Sequence, residues 1–289
     1  LALGAGAGQS GSMSGRVAGL MALALLALLF AVAALTERGS LRWRYRPRLR
    51  HGAYTLALGV YCSSWTFYGA VGSAVSEGWN YLPIYLAPAL LLLFAPRFLE
   101  RLAEAVQQER AVTISDFIGA RFGHDAAVAQ LVTVIALCGT IPYVALQLRS
   151  IGAAVAGISG ADIAVPAILA AAIVLATFAI LFGARRYEIA GRSDGLVAAV
   201  AMESLIKIIA LGVVGAYAFS VIADADPVRL ADAVRHLELR FAPSQVSAET
   251  LTIALISTFA IIVLPRQFYM ALVVAQSPHD LPRARAGLA

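Results

Sequence analysis

Tyr61-Cys62-Ser63-Ser64-Trp65-Thr66-Phe67-Tyr68-Gly69-Ala70-Val71-Gly72 lies inside an apolar segment, 53–75, that is long enough to cross a bilayer, yet it carries five hydroxyl side chains and two glycines. In hydrocarbon a spanning helix satisfies its own backbone and keeps polar side chains for a cavity or a packed neighbour. The stretch therefore reads as a lining, with the other segments arranged around it.

The rest of the chain fits that reading. It is 60% hydrophobic and 13% charged, with a mean hydropathy of +0.80. Such a composition excludes an ordinary soluble domain of 289 residues and matches a multi-span membrane protein in contact with lipid. The formal charge of +5 does not point to nucleic acid, because the basic residues sit between apolar runs, where they report topology. Cys62 and Cys138 fall in different apolar spans and read as small core residues, not as a disulfide or a metal site. His51, His124, His236 and His279 lie far apart at loops or helix ends, so no shared metal site is expected. No phosphate loop, nucleophile elbow or zinc-binding helix is present, and no catalytic residue is assigned within these residues.

Seven apolar segments can be cut, at about 17–35, 53–75, 80–96, 126–157, 163–184, 195–223 and 251–275. Residues 1–15, rich in Gly, Ala and Ser, read as a disordered leader or translated upstream sequence, with Met13 as an alternative start. Residues 16–52 form an accessory N-terminal helix and a basic loop. Residues 53–289 form the transmembrane domain proper, which stops after its sixth core helix. Segment 17–35 also has signal-peptide features, but the arginines that follow, Arg38, Arg42, Arg44, Arg46, Arg48 and Arg50, favour a retained helix with a cytoplasmic loop. Alternation then places Arg97, Arg101, Arg110, Arg121, Arg185, Arg186, Arg192, Arg283 and Arg285 on the same side. Only Arg16, Arg229, Arg235 and Arg240 fall opposite. The bias predicts seven spans, with the N-terminus outside and the C-terminus cytoplasmic; the expected location is a bacterial-type inner (plasma) membrane.

Three basic residues remain inside spans: Arg149, Lys207 and Arg266. Lys207 has Glu203 four residues before it, the favourable order for a helical ion pair. Arg149 follows a kink expected at Pro142 and can snorkel to an interface. Arg266 directly follows Pro265, which lacks a donor and disfavours helix at Leu264, so segment 251–275 should break near its middle. If 17–35 is accessory, the opening stretch lies on the first core helix and Pro265 on the sixth. In transporters built from inverted five-helix repeats those two helices are equivalent, and paired interruptions there point to a midplane site. Elsewhere, Val228–Leu239 in the loop 224–250 reads as a surface amphipathic helix, as does part of 97–124, where Ser115-Asp116 could open a short helix.

Several motifs in sequence order then resemble the sodium/solute symporter family. They are Trp65 with Gly69-Ala70-Val71-Gly72, the run Thr113 to Phe122 (TISDFIGARF), Tyr143-Val144-Ala145-Leu146-Gln147-Leu148, and Ser193-Asp194 opening a helix. More closely, Tyr61 to Gly69 and Leu264-Pro265-Arg266-Gln267-Phe268 resemble the symporter-like N-terminal membrane domain of transporter-fused sensor histidine kinases. The resemblance covers about residues 50–280. It implies an all-α polytopic membrane protein with the leucine-transporter-type inverted-repeat fold, comprising the first repeat, the start of the second and an extra N-terminal helix. In that family the first core helix unwinds at midmembrane and its carbonyls help to bind a coupling ion, which implies Gly59 and Cys62 here. That ion site would be incomplete, since hydroxyls of an eighth core helix finish it. The resemblance implies Ser63, Ser64, Trp65, Tyr68, Tyr143, Gln147, Arg266 and Gln267 as walls of a cavity for a small polar solute, such as an amino acid. One departure stands out: sodium-coupled members carry an aspartate in the first core helix, whereas no carboxylate lies between Tyr54 and Ser76 here. Coupling to Na+, to H+ or to neither stays open. The functional expectation is a solute-binding or solute-moving domain at the input end of a membrane sensor kinase, with kinase domains downstream in the same polypeptide. The alternative is a stand-alone cation-coupled symporter.

Overall fold

The computed structural model describes residues 5–38, 47–63, 65–159, 164–183 and 194–284. Ser64, the basic stretch 39–46 and residues 184–193 lie outside the described residues, as do the side chains of Trp65 and Tyr68. No strand occurs among the described residues. The α-helices are α1 (Ala5–Glu37), α2 (Pro47–Leu58), α3 (Trp65–Glu77), α4 (Pro83–Phe94), α5 (Pro96–Gln108), α6 (Ile114–Arg121), α7 (Ala126–Ser159), α8 (Ala164–Phe178), α9 (Asp194–Ala223), α10 (Pro227–Arg240), α11 (Ala248–Val263), α12 (Pro265–Phe268) and α13 (Asp280–Ala284).

Among the described residues, three stretches are long and apolar enough to cross a membrane as single helices, Gly19–Glu37, Ala126–Gly157 and Asp194–Ala223, or up to five if each of two bent helix pairs is one span. The apolar windows of α7 and α9 bury none of their residues within the protein. In water that surface would form an apolar patch far beyond what a soluble monomer tolerates, whereas lipid accepts it. The chain is thus an all-helical protein of membrane character. Helix α7 continues through Pro142 without interruption. Segment 163–184 appears as α8 followed by a π-helical turn at Ala179–Gly183.

Segment 80–96 differs from the expected single span. Helix α4 has 12 residues, about 18 Å at 1.5 Å per residue, and the chain then bends by 83° into α5. Prolines start both helices, and Ala95 between them leaves helical geometry at φ −114°, ψ 43°. Helix α5 is amphipathic. It buries Leu99, Ala103 and Val106 while Arg97, Arg101 and Glu104 face outward or the rim. The short helix expected at Ser115-Asp116 instead takes Thr113 as its cap: the Thr113 hydroxyl accepts from the Asp116 amide at 3.1 Å, and the Asp116 carboxylate accepts from the Thr113 amide at 2.9 Å. This reciprocal box satisfies two amides that the helix start would otherwise leave unpaired.

The chain divides into two compact units. The first draws on residues within 1–46 and 134–199, the second on 47–133 and 200–289. In the first, Ala33 of α1 and Ala199 of α9 are buried together, and the Phe30 and Phe178 rings meet edge to face at 4.9 Å. Gly195 makes this approach possible, since a Cβ there would lie 2.7 Å from the Ala33 carbonyl oxygen.

In the second unit α11 packs along α4, while α5, α13, α2 and the π-helical turn Tyr269–Val273 enclose a core of Leu99, Val106, Phe268, Leu272 and Leu281. The Tyr54 hydroxyl donates to the Ala271 carbonyl at 2.6 Å, joining α2 to that turn. The expected surface helix is α10, which buries no residue. It is tied to the end of α3 by the Trp79 indole, which donates to the Ala242 carbonyl at 2.9 Å, and by Gly78, at φ +54°.

Candidate functional site

The helical segment that holds Tyr61–Gly72 is interrupted between Leu58 and Trp65. Helix α2 ends at Leu58, a 3-10 turn covers Gly59–Tyr61, and Cys62 is extended at φ −71°, ψ 115° before α3 begins at Trp65. The Cys62 amide donates back to the Gly59 carbonyl at 2.9 Å. The Thr66 amide, which in a continuous α-helix would serve the Cys62 carbonyl, donates to Ser63 at 3.1 Å. The Cys62 carbonyl is thereby released from the helical ladder.

The second interruption lies where Pro265 predicts it. Leu264 is extended at φ −63°, ψ 130°, Pro265 opens α12, and the axis bends by 51°. The missing proline donor and the restriction on its predecessor give the break a covalent cause. The two breaks meet, because the Gly59–Tyr61 turn packs against Pro265–Phe268. Arg266 interacts electrostatically with the Tyr61 phenol, whose hydroxyl donates to the Ile84 carbonyl at 2.8 Å.

Gln267 is the polar group most deeply placed at this junction. It is 1% exposed, its amide nitrogen has no hydrogen-bond partner among the described residues, and it lines a cavity of about 20 Å³ together with Leu58, Leu92, Ile261 and Leu272. A space of that size holds one water molecule, and an unpaired buried donor costs on the order of 1–3 kcal/mol.

On the other side of the first break stands α9. A Cβ on Gly59 would lie 3.0 Å from the Ser204 hydroxyl and 3.1 Å from its Cβ, so glycine lets α9 come close. One turn further on, the Lys207 ammonium donates to the released Cys62 carbonyl at 2.9 Å and pairs with Glu203 at 2.6 Å. The Glu203–Lys207 spacing was legible in the sequence. The link to Cys62, across 145 residues, was not.

The residues singled out from sequence distribute as follows. Gly59, Cys62, Ser63, Arg266 and Gln267 share the second unit, with the Gly59 turn and Gln267 on contacting elements. Tyr143 and Gln147 are half-buried on the part of α7 that belongs to the first unit. Ser64 and the Trp65 and Tyr68 side chains are outside the described residues. Cys62 and Cys138 are free thiols, and the described residues contain no cluster of three or more metal-binding side chains. No protein-family model, curated protein or solved structure matches the chain.

Proposed function

We propose that the chain is a transporter-like membrane domain of the sodium/solute symporter type that binds or moves a small polar solute such as an amino acid, and that it serves as the input region of a sensor histidine kinase. The observation that carries this reading is the meeting of two interrupted helices, one at Gly59–Ser63 and one at Leu264–Gln267, with polar groups at both breaks. Interrupted helices expose backbone groups and helix ends where a continuous span would have none, and at membrane depth that arrangement suits polar ligands. The orphaned amide of Gln267 adds a donor whose cost the fold bears without a structural return. The motif resemblance supplies the solute class and the signalling role.

The test is solute binding and uptake by the full-length protein in proteoliposomes, with a panel of radiolabelled amino acids. Gln267→Met, which keeps the volume and removes the unpaired donor, should abolish binding while leaving thermal stability unchanged or higher. Retained binding in that variant would take Gln267 out of the site. Solute-dependent autophosphorylation distinguishes the sensor from a stand-alone symporter, which would move solute without it.

A further inference from the structure

The Lys207 side chain does something that a snorkelling lysine does not. A lysine near a membrane interface runs along its own helix and offers its ammonium to water. Lys207 instead crosses to the break and donates to the Cys62 backbone carbonyl, an acceptor that the break has released. The same nitrogen holds the Glu203 carboxylate. A peptide carbonyl from an unwound helix and a carboxylate from its neighbour are the oxygen ligands that a hard monovalent cation takes. The 2.9 Å and 2.6 Å separations put the positive charge between those two oxygens. The approach is built into the backbone, since Gly59 faces the buried Ser204 at a distance that any side chain would widen.

We propose that Lys207 is a tethered cation that takes the position of a dissociable alkali ion at the break of the first core helix, so that the break is held closed without sodium. A free ion stabilises in proportion to the logarithm of its concentration over its dissociation constant, whereas a covalently attached ammonium is present at a fixed effective concentration. The absence of a carboxylate between Tyr54 and Ser76 agrees with this: the counter-charge sits on α9, one turn from the lysine it serves. Other charged or ionisable groups at the break are the Cys62 thiol itself and, on the far side of the 3-10 turn, Tyr61 with Arg266. The inference deepens the reading of the paired breaks as a binding region, but its test uses no solute, so a failed solute panel and a failed lysine leave different results.

The reporter is Cys62 itself. Full-length protein in membrane vesicles is treated with N-ethylmaleimide in sodium chloride or in choline chloride, and alkylation of Cys62 is followed by mass spectrometry with Cys138 as internal reference. In the wild type the Cys62 rate should be the same in both salts. Lys207→Ala should label at least about tenfold faster in choline, the factor expected for loss of one charge-assisted hydrogen bond, and added sodium should slow it again. Lys207→Arg should retain the wild-type pattern. Slower labelling of the wild type in sodium would overturn the proposal, because a free ion would then bind despite the lysine, and this arm needs no variant to fold. A Lys207→Ala rate equal to wild type in choline, or faster but unmoved by sodium, would also overturn it.

Discussion

Replacing Gly59 by Ala tests the contact on which the geometry of the break depends. The new Cβ would sit 3.0 Å from the Ser204 hydroxyl oxygen and 3.1 Å from the Ser204 Cβ. Relaxed carbon–carbon contacts fall at about 3.5–4.0 Å, so roughly half an ångström must be found. Rotation of Ser204 can move its hydroxyl but not its Cβ, and at 3% exposure Ser204 has no free space to enter. The helices must therefore separate, and the Lys207–Cys62 hydrogen bond, now 2.9 Å, stretches toward the limit at which such bonds weaken. Overpacking of this kind costs about 1–3 kcal/mol. Alanine recovers about 0.5–1 kcal/mol through the lower entropy of its unfolded chain, because Gly59 does not occupy the left-handed region. The net loss then lies between about 0 and 2.5 kcal/mol, so the double variant, not the single one, carries the test. The assay is thermal unfolding of the detergent-solubilised protein for Gly59→Ala, Ser204→Gly and the double variant. Ser204→Gly removes both clashing atoms, so Gly59→Ala should cost nothing in that background. A coupling energy near zero would refute the close approach of α9 to the break.

Two further outcomes follow from the same unit. The losses in Glu203→Gln and Lys207→Met should sum to more than the loss in the double variant, by about 0.5–2 kcal/mol, the size set by a pair that is partly exposed, with 28% of Lys207 and 41% of Glu203 accessible. Additive losses in thermal unfolding would show that the pair does not act as one. Gly78→Ala should destabilise by at least about 1–2 kcal/mol from its positive φ alone. A Cβ there would also reach to 2.4 Å from the Arg240 carbonyl oxygen, so the variant should loosen α10 and speed proteolysis within 224–247. Unchanged cleavage would mean that α10 is not held at Gly78.

The two helix breaks were legible to different degrees. Pro265 announces its own break, because a missing amide hydrogen and a restricted predecessor are covalent properties visible in any context. The break at Cys62 has no proline. Nothing in Tyr61–Gly72 forbids a continuous helix, so only its hydroxyl content and the motif resemblance pointed there. The short α4 and its turn into α5 were partly hidden for a similar reason: Pro96 marks the boundary, but the amphipathic face that lays α5 over Leu272 and Leu281 depends on partners far along the chain.

Sequence alone determined the membrane character, the proline break, the surface helix over Val228–Leu239 and the Glu203–Lys207 pair. Each of these follows from residues near one another in the chain, through hydrophobic length, missing donors or helical spacing. Only the tertiary structure decided that the two breaks face each other, that Gly59 admits α9, and that the carbonyl released at Cys62 is held by an ammonium from residue 207. Those facts depend on which helices become neighbours, and a hydrogen bond between residues 145 positions apart leaves no period or motif by which either partner can be read.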